Sequence, residues 1–384
     1  ARLGRGAALL AAREFNEAVI EFRVARKLWP DSLEAGLLIG KAYYLMGKPE
    51  LAEREFLKLH EQSRFQDGAA LAVAAIYRYL AEYRKGLQWA GKVKRAHLRE
   101  SHRAQFYCEL GSWDEAIQAA RSALVENPRD VDAREYLGIA IYRGKRDSEE
   151  SVRLLREALQ IDPQHYGARF QLAQVLMKTG RLDLAELEYL TAIRTNPRSA
   201  APHHRLAAMY ALQGRFDEAV EKYLRAIALD QNFENSAQAH AELGSVLALQ
   251  GKPAEALDHF TQAIEIYPEH LRLEGTLPRL LRSKGRYLPP ERLRRLAQAI
   301  ERALKLVPEN RPMCRALLLA EYHASRGRDL SRSLECARRL VEKSGRGVAG
   351  DLALLAEVER LAGRGGEAAR TLEEAVRLPD ASED

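Results

Sequence analysis

Residues 166–197 read YGARFQLAQVLMKTGRLDLAELEYLTAIRTNP, and residues 200–231 read AAPHHRLAAMYALQGRFDEAVEKYLRAIALDQ. Laid one under the other, the two stretches pair Leu172 with Leu206, Ala173 with Ala207, Gly180-Arg181 with Gly214-Arg215, and Asp183 with Asp217. Ala185 pairs with Ala219, Tyr189 with Tyr223, and Ala192 with Ala226, every pair 34 residues apart. Self-similarity at one fixed period marks a stack of identical units, none of which can bury its apolar face alone.

The physics of one unit is written between Ala200 and Asp230. Leu206, Ala207 and Tyr210 fall on one face of a first helix. Gly214 ends that helix, because a residue without Cβ takes the left-handed conformation a helix end prefers. Asp217 is placed to cap the second helix, with Glu218 beside its positive end. Ala219, Tyr223 and Ala226 form the inner stripe of that helix. Alanines stand where two helix axes approach, and Tyr210 and Tyr223 fill the wider gaps. Pro197 follows the preceding second helix, which it cannot continue.

This pattern resembles the tetratricopeptide repeat, with small residues at the eighth, twentieth and twenty-seventh positions, aromatics near the eleventh and twenty-fourth, and a closing proline. The turn Gly214-Arg215-Phe216-Asp217-Glu218-Ala219 has a form frequent in that family. The resemblance implies an all-α fold: an α-solenoid, a right-handed superhelix of about eleven helix-turn-helix repeats. Regular repeats are expected over residues 1–268, irregular tetratricopeptide-like repeats continuing the superhelix over 269–379, and an acidic, disordered tail over 380–384.

Other units keep the phase with local departures. Ala18, Phe22 and Ala25 mark the first, and Gly40, Tyr43, Ala52 and Phe56 the second. The third is degenerate, with Gly86 where alanine is expected. The fourth carries Ala104, Tyr107 and Gly111 to Ala116, and the fifth has one extra residue in its turn. Asn232–Ser236 reads as a small insertion, Glu269–Thr276 as an insertion or hinge, and Gly345–Gly350 as a loosely held loop. Pro289-Pro290 fits the start of a helix over Glu291–Val307.

With 384 residues the chain exceeds the usual size of one compact core, a limit that a repeat stack escapes. A net charge of +6 is mild for this length and does not by itself imply nucleic acid. No apolar run reaches the ~20 residues of a membrane span. The sequence begins at Ala1 without Met, so a leader or further domain can precede it. Cys108, Cys314 and Cys336 are too few for a disulfide framework and read as buried small hydrophobes, although Cys314 and Cys336 would lie on two helices of one unit.

No catalytic constellation, phosphate-cradling loop or metal motif is found, so a non-catalytic chain with no cofactor and no small-molecule substrate is expected. His203 and His204 are adjacent on a helix and point apart. The family resemblance implies a groove lined by set first-helix positions: Lys41, Tyr44, Gln105, Glu135, Tyr142, Arg143, Phe170, Gln174, His204 and Ser245. Rings mixed with amides and a cation suit an extended peptide. The lysine-and-asparagine clamp by which some members hold a carboxylate terminus is absent, since Leu37 and Lys41 in the second unit, and His204 and Ala208 in the seventh, occupy its positions.

Two basic segments stand out. Arg279, Arg282, Lys284, Arg286, Arg292, Arg294 and Arg295 crowd the ninth unit, and Lys85, Lys92, Lys94, Arg95 and Arg99 flank Trp89. They suit an acidic protein face or an anionic surface, or else they are solvated helix faces. The expected role is a protein-interaction scaffold that holds a peptide or partner subunit within a larger assembly. The alternative is the recognition arm of an enzyme, glycosyltransferase-like, whose catalytic domain lies outside this chain. RNA binding through the basic segments is the weaker alternative.

Overall fold

The computed structural model describes residues 2–30, 32–62, 66–229, 233–268, 276–307, 311–325, 331–343 and 349–377. Contacts divide the chain into two compact units, Ala1–Thr195 and Asn196–Asp384. The described residues form twenty-two α-helices and no strand.

The first unit holds six hairpins: α1 (Arg2–Ala11) with α2 (Phe15–Leu28), α3 (Leu33–Leu45) with α4 (Pro49–Gln62), α5 (Gln66–Tyr79) with α6 (Tyr83–Ala90), α7 (Ala96–Leu110) with α8 (Trp113–Glu126), α9 (Val131–Ala140) with α10 (Ser148–Ile161), and α11 (Tyr166–Lys178) with α12 (Leu182–Thr195). Each helix packs on the next in sequence, and several first helices also touch one another, as α7 does α9 and α9 does α11.

The seam inside several hairpins is a ring or large aliphatic group set over a residue with little or no side chain. Phe22 and Phe56 are fully buried, and a Cβ added at Gly6 or Gly40 would lie 2.4 or 2.2 Å from the respective ring. Tyr189, as far along the chain from Ala173 as Phe56 is from Gly40, is likewise fully buried. Burying one such side chain stabilises by roughly 1.5–3 kcal/mol, and repetition of that contact is what makes the stack. Gly111 and Gly180 end first helices at φ +73° and +77°, in the left-handed conformation assigned to them from the sequence.

The second unit begins with two regular hairpins, α13 (Ala200–Leu212) with α14 (Phe216–Leu229) and α15 (Phe233–Leu249) with α16 (Pro253–Ile266). Ala207, Ala219, Ala226, Tyr210 and Tyr223 are all buried, as the inner stripe requires. Regularity then breaks. Helix α17 (Thr276–Lys284) is short and packs on α19 (Arg311–Ser325), while α18 (Pro290–Leu306) packs on both α16 and α19. Pro289 and Pro290 open α18, where missing N–H groups cost nothing. Helices α20 (Ser331–Lys343), α21 (Ala349–Leu361) and α22 (Gly365–Arg377) complete it.

Two local expectations need correction, and a third is met in an unexpected form. Asp217 does not cap α14: that helix starts at Phe216, so Asp217 is its second residue, and its carboxylate accepts a 2.8 Å bond from Gln250 Nε2. The same offset holds for Asp114 in α8 and Asp183 in α12, so these carboxylates act through proximity to the positive helix end. The insertion at Asn232–Ser236 is not a loop over its described part, because α15 begins at Phe233 and is extended by it. The extra residue of the fifth turn is absorbed in a π-helical turn, Ile141–Lys145, and Arg146 at φ +60° takes the left-handed position in place of Gly144. Gly144 serves a different need, since a Cβ there would lie 2.6 Å from Trp113 Cβ. Residues 269–275, 344–348 and 380–384 and the side chains of Cys314 and Cys336 lie outside the described residues, so the expected hinge, most of the glycine loop, the acidic tail and any Cys314–Cys336 pairing fall there.

Candidate functional site

Three successive first helices of the first unit, α5, α7 and α9, enclose a cleft of about 190 Å³. Leu71, Ala75 and Phe106 give it apolar walls, and Arg78, Ser101, His102, Gln105, Asp132 and Tyr136 supply polar groups. Gln105 Nε2 donates to the Tyr136 hydroxyl across α7 and α9. Burial, reinforced by Glu135, pushes the Tyr136 phenol far above its usual range. His102 Nδ1 lies 2.9 Å from the Leu98 carbonyl. A carbonyl only accepts, so Nδ1 carries the proton and, in the neutral ring, Nε2 keeps a lone pair.

Asp132 and Glu135 stand one turn apart on α9, and His165 caps the N-terminus of α11. The cap bond runs from the Ala168 N–H to His165 Nδ1 at 3.2 Å, and Nε2 lies 3.0 Å from Asp132 Oδ1. That contact holds the Asp132 carboxyl below its ordinary range and raises the imidazole. Glu135 is buried, its carboxylate 3.5 Å from His165 Nδ1, and burial pushes its pKa up to about 7. Gly167 makes this approach possible, since a Cβ there would sit 2.3 Å from Glu135 Oε2.

The other residues expected to line a groove are spread along both units. Lys41 Nζ lies 3.9 Å from the centre of the Tyr79 ring. Tyr44 donates to Glu82 and meets Tyr77 edge-on, and its burial raises the phenol to about 12. Tyr142 and Arg143 stand in the π turn, Arg143 exposed. Phe170 stacks on Tyr166 with centroids 5.9 Å apart, and Gln174 contacts Gln171 at 3.5 Å. In the second unit His204 Nε2 pairs with Glu242 at 2.8 Å, and Ser245 bonds back to the Ala241 carbonyl of its own helix. His203 faces Lys222 and Arg225 instead, so the two adjacent histidines have separate surroundings. The sequence reading missed Arg78, His102, Asp132, Tyr136 and His165. They belong to the same first-helix face but meet only through packing of neighbouring repeats.

Of the basic segment, Arg292 pairs with Asp258 at 2.9 Å and Arg295 with Glu265 at 3.1 Å. Arg279, Arg282, Lys284, Arg286 and Arg294 are exposed and make no ion pair among the described residues. Tyr287, exposed beside them, carries the Arg286 guanidinium over its ring at 4.5 Å. A second cleft, of about 400 Å³, opens between α7 and α8 and includes Arg99, Glu100, Arg103 and Gln118. The small side chain of Ala119 lies on its wall. Cys108 is a free thiol that burial pushes up to about 12, which keeps it a poor nucleophile. Among the described residues no helix is long and apolar enough to cross a membrane.

Helix hairpins stacked by small-against-aromatic seams, with a polar cleft built from consecutive first helices, define a helical-repeat protein. Three tetratricopeptide repeat models match residues 103–166, 142–197 and 198–269, and this span is built of tetratricopeptide repeats. The chain is 30% identical over 132 residues to Protein NPGR1 of Arabidopsis thaliana, covering 33% of this chain and 18% of that one. It is 31% identical over 105 residues to the uncharacterized protein y4yS of Sinorhizobium fredii, covering 27% and 57%. The matches thus span less than two thirds of either relative. Among solved structures, MamA from Desulfovibrio magneticus superposes with a TM-score of 0.39 at 21% identity, over 45% of this chain and 95% of that one.

Proposed function

We propose that the chain is a non-catalytic scaffold that holds an extended peptide segment of a partner protein along the first-helix face of its first unit. The observation that carries this reading is the cleft shared by α5, α7 and α9, where apolar walls alternate with Arg78, Gln105, Asp132 and Tyr136. At about 190 Å³ it is below the ~300–1,000 Å³ of sites that enclose a small molecule. It fits one side chain and the backbone on either side of it. The amide and guanidinium can bond peptide carbonyls, and Asp132 can accept from a peptide N–H. Phe170, on α11, extends the same series of first helices with an aromatic surface. Panning a random peptide library against the intact chain tests this. Selected peptides should lose at least tenfold in affinity to Gln105→Ala or Arg78→Ala. Peptides indifferent to both changes would refute the assignment.

A second reading has its own observation, the five exposed cations on and near α17 that lack an ion pair among the described residues. They favour contact with an acidic partner face, and with it the irregular repeats of residues 269–379 as the more specific part of the chain. Partner binding that weakens steeply with added salt, and weakens further in Arg279→Ser/Arg282→Ser, supports it; salt-independent binding removes it.

A further inference from the structure

We propose that Asp132 and His165, backed by Glu135, form a binding site for one divalent transition-metal ion of the zinc class. One donor atom from each of the three side chains lies within 4.8 Å of the other two. Asp132 Oδ1 and His165 Nε2 are 3.0 Å apart. Tetrahedral ligands of a single ion bound at ~2.0–2.2 Å stand about 3.3–3.6 Å from each other, so the two need part by only a few tenths of an ångström to take the spacing of neighbouring ligands.

The role of Glu135 follows from its surroundings. Its side chain is nine-tenths buried. Its carboxylate faces His165 Nδ1, whose lone pair is already used by the Ala168 N–H. The ionised carboxylate and the Nδ1 lone pair are both acceptors, opposed across 3.5 Å. Metal binding at Nε2 removes that conflict. The imidazole proton leaves Nε2 as the metal bond forms and reappears on Nδ1, which then donates a hydrogen bond to Glu135. No net proton is gained or lost by the ring. The Ala168 N–H gives up its cap bond. The result is a carboxylate–histidine–metal relay, the arrangement that fixes the tautomer of a ligating imidazole.

Two independent observations favour this use. Helix α9 is capped by Asp130, and α3 by Ser32. At the equivalent start of α11 stands an imidazole, which capping does not require and whose second nitrogen reaches Asp132. His102 lines the same cleft as Asp132 with its Nδ1 proton held by the Leu98 carbonyl, which leaves Nε2 as the nitrogen with a lone pair, although His102 is not among the three side chains that lie within 4.8 Å of one another. Nitrogen and carboxylate oxygen together select zinc-like ions over calcium or magnesium. The site stands independently of the peptide-binding proposal, although a partner side chain entering the cleft could complete the coordination.

The test is titration of the chelator-treated intact chain with Zn²⁺ by calorimetry and with Co²⁺ by visible absorption, at pH 7. One tight site per chain is expected. His165→Asn, which retains a capping side chain, and Asp132→Asn, at an exposed position, should each weaken that site at least tenfold with unchanged circular dichroism. Glu135→Gln should weaken it about 10–100-fold, as loss of an orienting partner does. Absence of a tight site, or a site unaffected by His165→Asn and Asp132→Asn, would overturn the proposal. The triad would then be an ordinary hydrogen-bonded contact, and any bound ion would belong to other histidines.

Discussion

Replacing Gly40 by alanine is the sharpest test of how the hairpins are held together. A Cβ at this position would lie 2.2 Å from Phe56 Cε1 and 2.6 Å from Cζ, and the ring it meets is completely buried. The ring cannot swing into solvent, so the hairpin must open or the ring must leave its rotamer. Overpacking of that kind costs ~1–3 kcal/mol. Alanine is also the better helix former, which offsets about 1 kcal/mol. Gly4, in the corresponding helix of the first hairpin, has nothing within 4 Å of an added Cβ. Gly4→Ala should therefore stabilise by up to about 1 kcal/mol, with no packing term. The difference between the two substitutions, ~1–3 kcal/mol, isolates the cost of crowding the seam. Urea melts of the intact chain followed by circular dichroism give both values. Adding Phe56→Leu provides a second check. Leucine removes the obstructing edge, so Gly40→Ala should cost less in that background, a coupling of ~0.5–3 kcal/mol. If Gly40→Ala stabilises as much as Gly4→Ala, close contact between these axes is not what joins the helices, and the account of the seam fails.

Other outcomes follow from named contacts. Glu53 accepts from both the Tyr77 hydroxyl and Trp89 Nε1, and both rings are about 1% exposed; Glu53→Leu should cost ~1–3 kcal/mol for each donor left without a partner, read by thermal melting. His240 and His259 stack with their Nδ1 atoms 2.9 Å apart, and burial lowers both pKa values, that of His240 to about 4. The unfolded chain then takes up protons first as pH falls, so their contribution is present above pH ~6.5 and is lost progressively towards pH 4, on the order of 3 kcal/mol for His240; His240→Phe should flatten the pH dependence of the melting temperature in that window, with Asp258 and Glu255 providing the nearby charge. Arg279→Ser with Arg282→Ser should leave stability within ~0.5 kcal/mol, because both side chains are exposed and carry no ion pair among the described residues. RNA affinity that is absent at low salt would dismiss nucleic-acid binding by this segment.

The architecture was legible because its determinants are periodic. Ala173 and Ala207, Tyr189 and Tyr223, and Gly180 and Gly214 each serve one geometric need that returns every 34 residues, and each stands where that need arises. Helix ends were less legible. Asp217 is two residues past the cap position, where its charge can still act on the positive end of the helix. The cleft was legible in part. Gln105 and Glu135 were found through first-helix position. Asp132 and His165 are 33 residues apart on consecutive first helices and form no short motif. Their proximity is a product of stacking, and only the unusual choice of an imidazole for a cap hinted at it.

The π turn at Ile141–Lys145 has a consequence for how such a chain can change length. One additional residue is taken up there without shifting the phase of the helices on either side, because the widened turn and the left-handed Arg146 return the backbone to its track. Leu155 still faces Gly138, at 3.0 Å from the place where a Cβ would be. The connection between the two helices of a hairpin therefore works as an expansion joint. Single-residue gains can accumulate at such joints while the faces that neighbours grip stay in step, and lineages can diverge in length before they diverge in shape.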